Sequence, residues 1–231
     1  MDADPPSHYG SVMDQITACT AAIDVILAER LLLSHPFYQR WTAGTLSREE
    51  LTAYAGQYRS VEATLPTALA AIIADLDGPA KVLVQANLDD ELSNPAPHLD
   101  LFDQFAAALG ADLLEPTPGT ANLIATYATA AERSGAFGLG VLAAYEVQAA
   151  EVATSKAEGL RANYGIDAAG TAFWDVHASL EVEHGNWVVE ALSHLSTDDL
   201  AEALAGVEAS AAAWWSFLDE REAAAPTLAG I

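Results

Sequence analysis

Apolar residues recur three and four positions apart along almost the entire chain, and this helical periodicity limits the fold more than any other feature of the sequence. Residues 11–33 are the first such stretch. The others lie at about 37–44, 47–75, 79–93, 98–109, 119–133, 136–161, 168–195 and 198–220. No alternating apolar–polar pattern of useful strand length separates them. The sequence predicts an all-α helical bundle of seven to nine helices.

Local signals place several helix ends. Ser47 and Glu50 form the Ser-x-x-Glu pattern of a capping box, which predicts that a long helix begins there and runs to about residue 75. Pro66 lies inside this helix, and we expect it to kink the helix because proline removes a backbone hydrogen bond. The NPAP run at 94–97 ends a later helix.

Acidic residues greatly outnumber basic ones. The chain has 33 Asp and Glu against 9 Lys and Arg, for a formal net charge of −24. Such a surface repels nucleic-acid phosphates and anionic lipid headgroups, so we expect no nucleic-acid partner and no membrane-surface partner. No uninterrupted apolar run reaches the length of about 18 residues that a membrane span needs.

Length and composition fit one large domain. The 231 residues are 52% hydrophobic, enough for a substantial core, and we expect a single domain over 1–231 with a short flexible N-terminus and a tail after about residue 222. Cys19 is the sole cysteine, which excludes an intramolecular disulfide and a thiolate metal site. The opening MDADPPSHYG lacks the basic start and apolar run of a signal peptide, so a cytoplasmic protein is expected.

One helix carries ionisable residues in the middle of its apolar face. Six positions stack along one side of the helix at 173–192: Trp174, His177, Glu181, His184, Val188 and Ala191. At about 100° per residue, Glu181 and His184 lie within about 40° of His177 around the helix axis. Both ends of the stripe are apolar, so the sequence places two imidazoles and a carboxylate on a face that should be buried.

Two other helices have interrupted faces of the same kind. Glu146 replaces an apolar residue within 136–161, Glu91 does so more loosely within 79–93, and His98 follows the NPAP break. A lone buried carboxylate is costly unless it is paired, protonated or bound to metal. The six side chains could surround one or two divalent cations, and mixed imidazole and carboxylate ligands favour iron or manganese over structural zinc. A hydrogen-bonded cluster without metal, and an exposed or interfacial Glu91, remain alternatives.

Four motifs in order resemble a known family. They are HPFYQRWTAGTLSREELTAYAGQY, NLDDELSNPAPH, AAYEVQAAEVATSK and VHASLEVEH. Together they are similar to the heme-oxygenase-like dimetal oxidases, which are relatives of the pyrroloquinoline-quinone-forming oxidase and the thiaminase II group. The likeness covers about 30–220 and is closest to the branch of the chlamydial protein associating with death domains, whose members make para-aminobenzoate by sacrificing their own residues.

The resemblance implies a set of metal ligands. The matching positions are Glu91, His98, Glu146, His177, Glu181 and His184. The family usually has Asp where this chain has Glu181, which reaches one methylene further and leaves the metal identity open. The implied cofactors are two divalent ions, Fe(II)/Fe(II) or Fe(II)/Mn(II), with O2 as co-substrate and an external reductant.

The para-aminobenzoate branch implies three further residues. Tyr38 matches the sacrificed tyrosine, Tyr145 matches a second essential tyrosine, and Lys156 matches the lysine that donates the amino group. The chain has only two lysines, the other being Lys81, so a chance match at Lys156 is improbable. Without the resemblance, each of the three could equally be structural.

These implications lead to one function hypothesis and two alternatives. The hypothesis is a dimetal oxygenase that forms para-aminobenzoate, a folate precursor, from Tyr38 and the nitrogen of Lys156. The first alternative is an oxidase of an external small molecule, such as an amino acid or fatty acid, by N-oxygenation, desaturation or C–C cleavage. The second is a metal-free binding protein of the same fold. The expected partners are O2 and an electron donor, and homodimerisation is left open.

Overall fold

The computed structural model describes the backbone of residues 8–228 and, within them, the side chains of 12–224. These residues form eleven α-helices and no strand: α1 His8–Leu27, α2 Pro36–Thr42, α3 Arg48–Glu62, α4 Leu65–Asp75, α5 Gly78–Ser93, α6 His98–Leu109, α7 Pro118–Ala128, α8 Ala130–Arg133, α9 Gly135–Tyr164, α10 Ala168–Ser193 and α11 Thr197–Leu228. This confirms the all-α prediction, but the helices number eleven and not the seven to nine expected, because two of the predicted helices are each divided in two. The expected flexible N-terminus, residues 1–7, lies outside the described residues, as do residues 229–231.

The predicted start of a helix at Ser47 is confirmed, and four other boundary predictions are wrong. Ser47 and Glu50 form the full capping box at the start of α3. The helix predicted to be kinked at Pro66 is instead two helices, with Pro66 in the first turn of α4, where its missing N–H costs no hydrogen bond. The stretch 11–33 ends at Leu27 before a short 3₁₀ turn, and 119–133 divides into α7 and α8. The tail expected after residue 222 is helical as far as Leu228.

The long helix α9 is the centre of the bundle, with α10 and α11 packed along it. Helices α5 and α6 pack against α10, and the short α2 packs against α9 and α11. Two glycines permit close approaches of neighbouring helices to α9. A Cβ atom on Gly185 of α10 would lie 3.0 Å from the carbonyl oxygen of Glu146, and one on Gly159 of α9 would lie 2.8 Å from the Trp41 ring. The backbones of α10 and α2 therefore meet α9 directly at these two levels.

Among the described residues, no helix is both long enough and apolar enough to cross a membrane.

Candidate metal centre

The structure brings all six predicted ligands into one buried region between α5, α6, α9 and α10. They are Glu91, His98, Glu146, His177, Glu181 and His184, and each is at most 5% exposed. Within this region Glu91 forms one group with His98 and His177 and another with Glu181 and His184. In each group the potential ligand atoms lie within 4.8 Å of one another. Glu91 is common to both groups, and Glu146 belongs to neither.

In each of the three histidines, one ring nitrogen faces the carboxylate cluster and the other faces away from it. We call them the inner and the outer nitrogen, and an oxygen atom contacts each outer nitrogen. The three contacts are His98 Nε2 to Asn94 O at 3.0 Å, His177 Nδ1 to Phe173 O at 2.8 Å, and His184 Nε2 to Asp90 Oδ2 at 3.1 Å. A proton held at the outer nitrogen leaves the inner nitrogen with a free lone pair. Metal-binding histidines are typically oriented in this way.

The inner nitrogens face carboxylates. His98 Nδ1 lies 3.0 Å from Glu91 Oε2, while His177 Nε2 and His184 Nδ1 lie 3.5 and 3.4 Å from the two oxygens of Glu181. The i, i+4 and i, i+3 spacing on α10 places Glu181 between the two histidines, as the sequence predicts.

Several of these atoms lack a hydrogen bond although they are buried. Among the described residues, His98 Nδ1, Glu146 Oε2, Glu181 Oε2 and His184 Nδ1 have no partner. Orphaned polar atoms in a protein interior cost free energy unless something unseen satisfies them. Four of the six proposed ligands converge here with an orphaned imidazole nitrogen or carboxylate oxygen, so the residues fit divalent cations.

Burial disfavours full ionisation of the carboxyl groups at this site when no cation is bound. Burial raises the pKa of Glu181 to about 8. Burial and then the Glu181 carboxylate raise the pKa of Glu146 well above its usual value. Burial also opposes ionisation of Glu91, but the adjacent His98 imidazole holds the pKa of Glu91 below its usual value. Bound metal ions would replace the protons on Glu181 and Glu146.

Glu62 is a further carboxylate at this site that the sequence analysis missed. It is 7% exposed and lines one small cavity together with Glu91, Glu146 and Glu181. Burial and the neighbouring Glu91 raise its pKa to about 8. The sequence does contain a signal for Glu62. It follows Tyr58 by four residues and so lies on the same buried face of α3, where it interrupts the apolar residues as Glu181 does on α10.

A box of aromatic side chains surrounds Lys156. The Lys156 Nζ atom lies 4.7, 5.2, 5.2 and 4.1 Å from the ring centroids of the box residues Tyr38, Tyr54, Tyr58 and Trp174. The amine donates a 2.7 Å hydrogen bond to the Tyr54 hydroxyl, which lies 2.9 Å from the Tyr38 hydroxyl. Burial holds the pKa of Lys156 well below its usual value, so the amine is poised to be neutral.

Helix α2 carries Tyr38 into this aromatic box. Trp41, three residues further on, donates a hydrogen bond to the backbone oxygen of Lys156 at 3.2 Å, and Gly159 leaves room for its ring. Lys156 follows Glu146 by ten residues, about 15 Å along α9. The three predicted catalytic residues therefore lie in two places. Tyr38 and Lys156 are together in the aromatic box, and Tyr145 is beside the carboxylates.

A series of tyrosines connects the two places. The Tyr38 and Tyr54 hydroxyls are in contact, and the Tyr54 and Tyr58 ring centroids are 5.5 Å apart. The Tyr58 hydroxyl donates to that of Tyr145 at 3.3 Å, and Tyr145 lines the same cavity as Glu146. We call Tyr38, Tyr54, Tyr58 and Tyr145 the tyrosine series. Tyr54, Tyr58 and Trp174 were not among the predicted site residues, and in the sequence they look like ordinary core aromatics.

The family described as iron-containing redox enzymes matches residues 52–215. Two relatives named 4-aminobenzoate synthase are similar over most of their length. The one from Chlamydia pneumoniae is 30% identical over 88% of this chain and 94% of its own. The one from Nitrosomonas europaea is 33% identical over 85% of this chain and 88% of its own.

Solved structures share the fold. A CADD-like protein of unknown function from Nostoc punctiforme superposes with a TM-score of 0.76 at 18% identity, covering 92% of this chain and 99% of its own. A TenA homologue from Pseudomonas syringae superposes with a TM-score of 0.71 at 15% identity, covering 96% and 99%. At such low identities the superpositions establish the fold alone.

Proposed function

The chain belongs to the iron-containing redox enzyme family, and from that premise we propose that it is a dimetal oxygenase that forms para-aminobenzoate from its own Tyr38. In this proposal Lys156 supplies the nitrogen and O2 is the co-substrate. The observation that carries the proposal is the packing of the Lys156 amine against the Tyr38 ring in a buried aromatic box. The names of the relatives from Chlamydia pneumoniae and Nitrosomonas europaea support it.

In this proposal the six buried residues would hold the metal ions, and Glu91 belongs to both groups of potential ligand atoms. When bound, Fe(II)/Fe(II) or Fe(II)/Mn(II) would supply activation of O2, with electrons from an external reductant. Asn94, Phe173 and Asp90 hold the three imidazoles so that their inner nitrogens face the ions.

Lys156 acts as a nitrogen donor because it is buried as an amine. A protonated ammonium has no lone pair, and burial disfavours that form. The Tyr54 hydroxyl accepts a hydrogen bond from the amine and so holds it beside the Tyr38 ring. The surrounding rings leave Lys156 only 1% exposed, which keeps water from competing with it.

The tyrosine series carries protons and electrons between Tyr38 and the carboxylates. Tyr145 and Tyr58 share a hydrogen bond at the metal end, and Tyr54 and Tyr38 share one at the other end. Tyr145 stacks on Trp214 with ring centroids 4.6 Å apart, which fixes its position beside Glu146. Product formed in this way would supply a folate precursor in the cytoplasm.

Isotope labelling tests the proposal. Protein made with ring-labelled tyrosine, loaded with Fe(II) with or without Mn(II), receives O2 and a reductant. Mass spectrometry should detect labelled para-aminobenzoate, at no more than one per chain, and a matching mass loss in the Tyr38 peptide. Tyr38→Phe should abolish the product and still bind metal. Product from Tyr38→Phe would refute self-sacrifice, and repeated turnover of a supplied small molecule would favour an oxidase of an external substrate.

A further inference from the structure

A groove on the surface between α1, α9 and α10 reaches the candidate metal centre. It is open to solvent, with a volume of about 580 Å³. Glu146 and Glu181 are among its lining residues, together with the small residues Ala150 and Gly185. The groove thus joins solvent to two of the six proposed ligands.

The outer part of the groove is acidic. Asp24, Glu151 and Glu190 line it, one from each of the three helices, and no described lining residue is basic. Their side chains make no ion pair with any described residue. We call this feature the acidic groove. On a chain with a net charge of −24, it concentrates cations and repels anionic molecules.

Glu146 and Glu181 separate the acidic groove from a second cavity. The same two residues line the small cavity of about 20 Å³ beside Tyr58 and Tyr145. That cavity holds about one water molecule, too little for a hydrated metal ion. The two carboxylates therefore have one side toward solvent and the other toward the tyrosine series.

Each of these carboxylates has an oxygen ready to receive a cation. Glu146 and Glu181 are 5% and 3% exposed, and the Oε2 atom of each is buried without a hydrogen-bond partner. Glu146 and Glu181 are the two proposed ligands that line the groove, so a hydrated ion inside it would meet these residues before any other proposed ligand. Exchange of its water molecules for carboxylate oxygens would draw the ion inward toward the histidines.

We propose that the acidic groove is the route by which divalent cations reach the metal centre. The inference rests on the proposed dimetal function. In this route the ions arrive through the groove beside α1, whereas Tyr58 and Tyr145 of the tyrosine series face Glu146 and Glu181 across the small cavity. The rate of metal uptake should therefore depend on the charges of Asp24, Glu151 and Glu190, which we call the groove rim. The final number of bound ions should not depend on them.

Cation uptake kinetics test this route. Metal-free full-length protein is mixed rapidly with Co(II), and visible absorption follows ligand binding. The variant Asp24→Asn, Glu151→Gln, Glu190→Gln should load about tenfold or more slowly at low ionic strength, yet reach the same final stoichiometry. Added salt should slow the unmodified protein and have little effect on the variant.

A matched variant removes three other exposed charges. Asp112→Asn, Glu115→Gln, Glu208→Gln changes the net charge equally and does not touch the groove. It should load at nearly the rate of the unmodified protein. Equal rates for the groove variant and the unmodified protein, or equal slowing in the two variants, would overturn the route. A lower final stoichiometry in the groove variant would also overturn it, by making the rim residues ligands. If the unmodified protein takes up no Co(II), Fe(II) or Mn(II), the dimetal proposal itself fails.

Discussion

The Nζ atom of Lys156 lies 4.7 Å from the ring centroid of Tyr38, and neither side chain is more than 2% exposed. Helix α2 brings one residue and helix α9 the other, so the pair exists only in the folded chain. A buried lysine without a hydrogen-bonded carboxylate is costly, and its one side-chain hydrogen bond goes to the Tyr54 hydroxyl. A role of Lys156 in the reaction explains its burial more readily than a contribution to the stability of the fold.

Replacement of Lys156 should separate chemistry from stability. Lys156→Met fills the same space without a polar group and leaves the Tyr38 and Tyr54 hydroxyls paired with each other. We expect no para-aminobenzoate, and an unfolding free energy in urea that is equal to or about 1 kcal/mol above that of the unmodified chain. Lys81→Met, at an exposed lysine, should change neither quantity. Product formation by Lys156→Met would contradict the assigned nitrogen donor.

The same pair of proteins should show a defined pH dependence of stability. Because burial lowers the pKa of Lys156 in the folded chain, the unfolded chain binds a proton that the folded chain lacks below pH 10.5. Stability of the unmodified protein relative to Lys156→Met should therefore fall as pH decreases from 10.5 toward the folded-state pKa, then level off. Urea unfolding of both proteins across this range measures the difference, and a constant difference would show a normal lysine.

Tyr145 and Tyr127 provide a matched test of the tyrosine series. Both line the same cavity, but the Tyr145 hydroxyl contacts the Tyr58 hydroxyl, whereas the Tyr127 hydroxyl accepts a hydrogen bond from Trp214. Tyr145→Phe should lower product yield by about tenfold or more and leave metal stoichiometry unchanged. Tyr127→Phe should retain most of the product. Similar yields from the two variants would remove Tyr145 from the route.

Asp90 should strengthen metal binding through His184. Its carboxylate holds His184 Nε2 at 3.1 Å, and Asp90→Asn keeps the shape but removes the charge. Affinity for Mn(II), measured by titration calorimetry, should fall about tenfold or more at one of the two sites. Asp89→Asn is the control, because the exposed Asp89 side chain is bound only by Gln85 among the described residues. Equal affinities for the two variants would show that Asp90 does not position the imidazole.

Much of the metal centre follows from patterns along single helices. His177, Glu181 and His184 share a face because 3.6 residues complete a helical turn, a relation that needs no tertiary contact. Glu146 could be recognised because it interrupts the apolar face of a single helix. Glu62 carries a comparable signal on α3, but a single carboxylate at a helix end resembles a solvent-exposed residue until the opposing helices are known.

Periodicity determined the all-α class, the capping box at Ser47 and the ionisable stripe on α10, because each depends on residues close together in the chain. The tertiary structure alone decided that Asp90 reaches His184 and that Tyr38 meets Lys156. These contacts join residues on different helices, and their distances depend on how helix backbones approach each other, as at Gly159 and Gly185. Packing of side chains throughout the bundle sets those approaches, and a pattern read along one helix does not contain them.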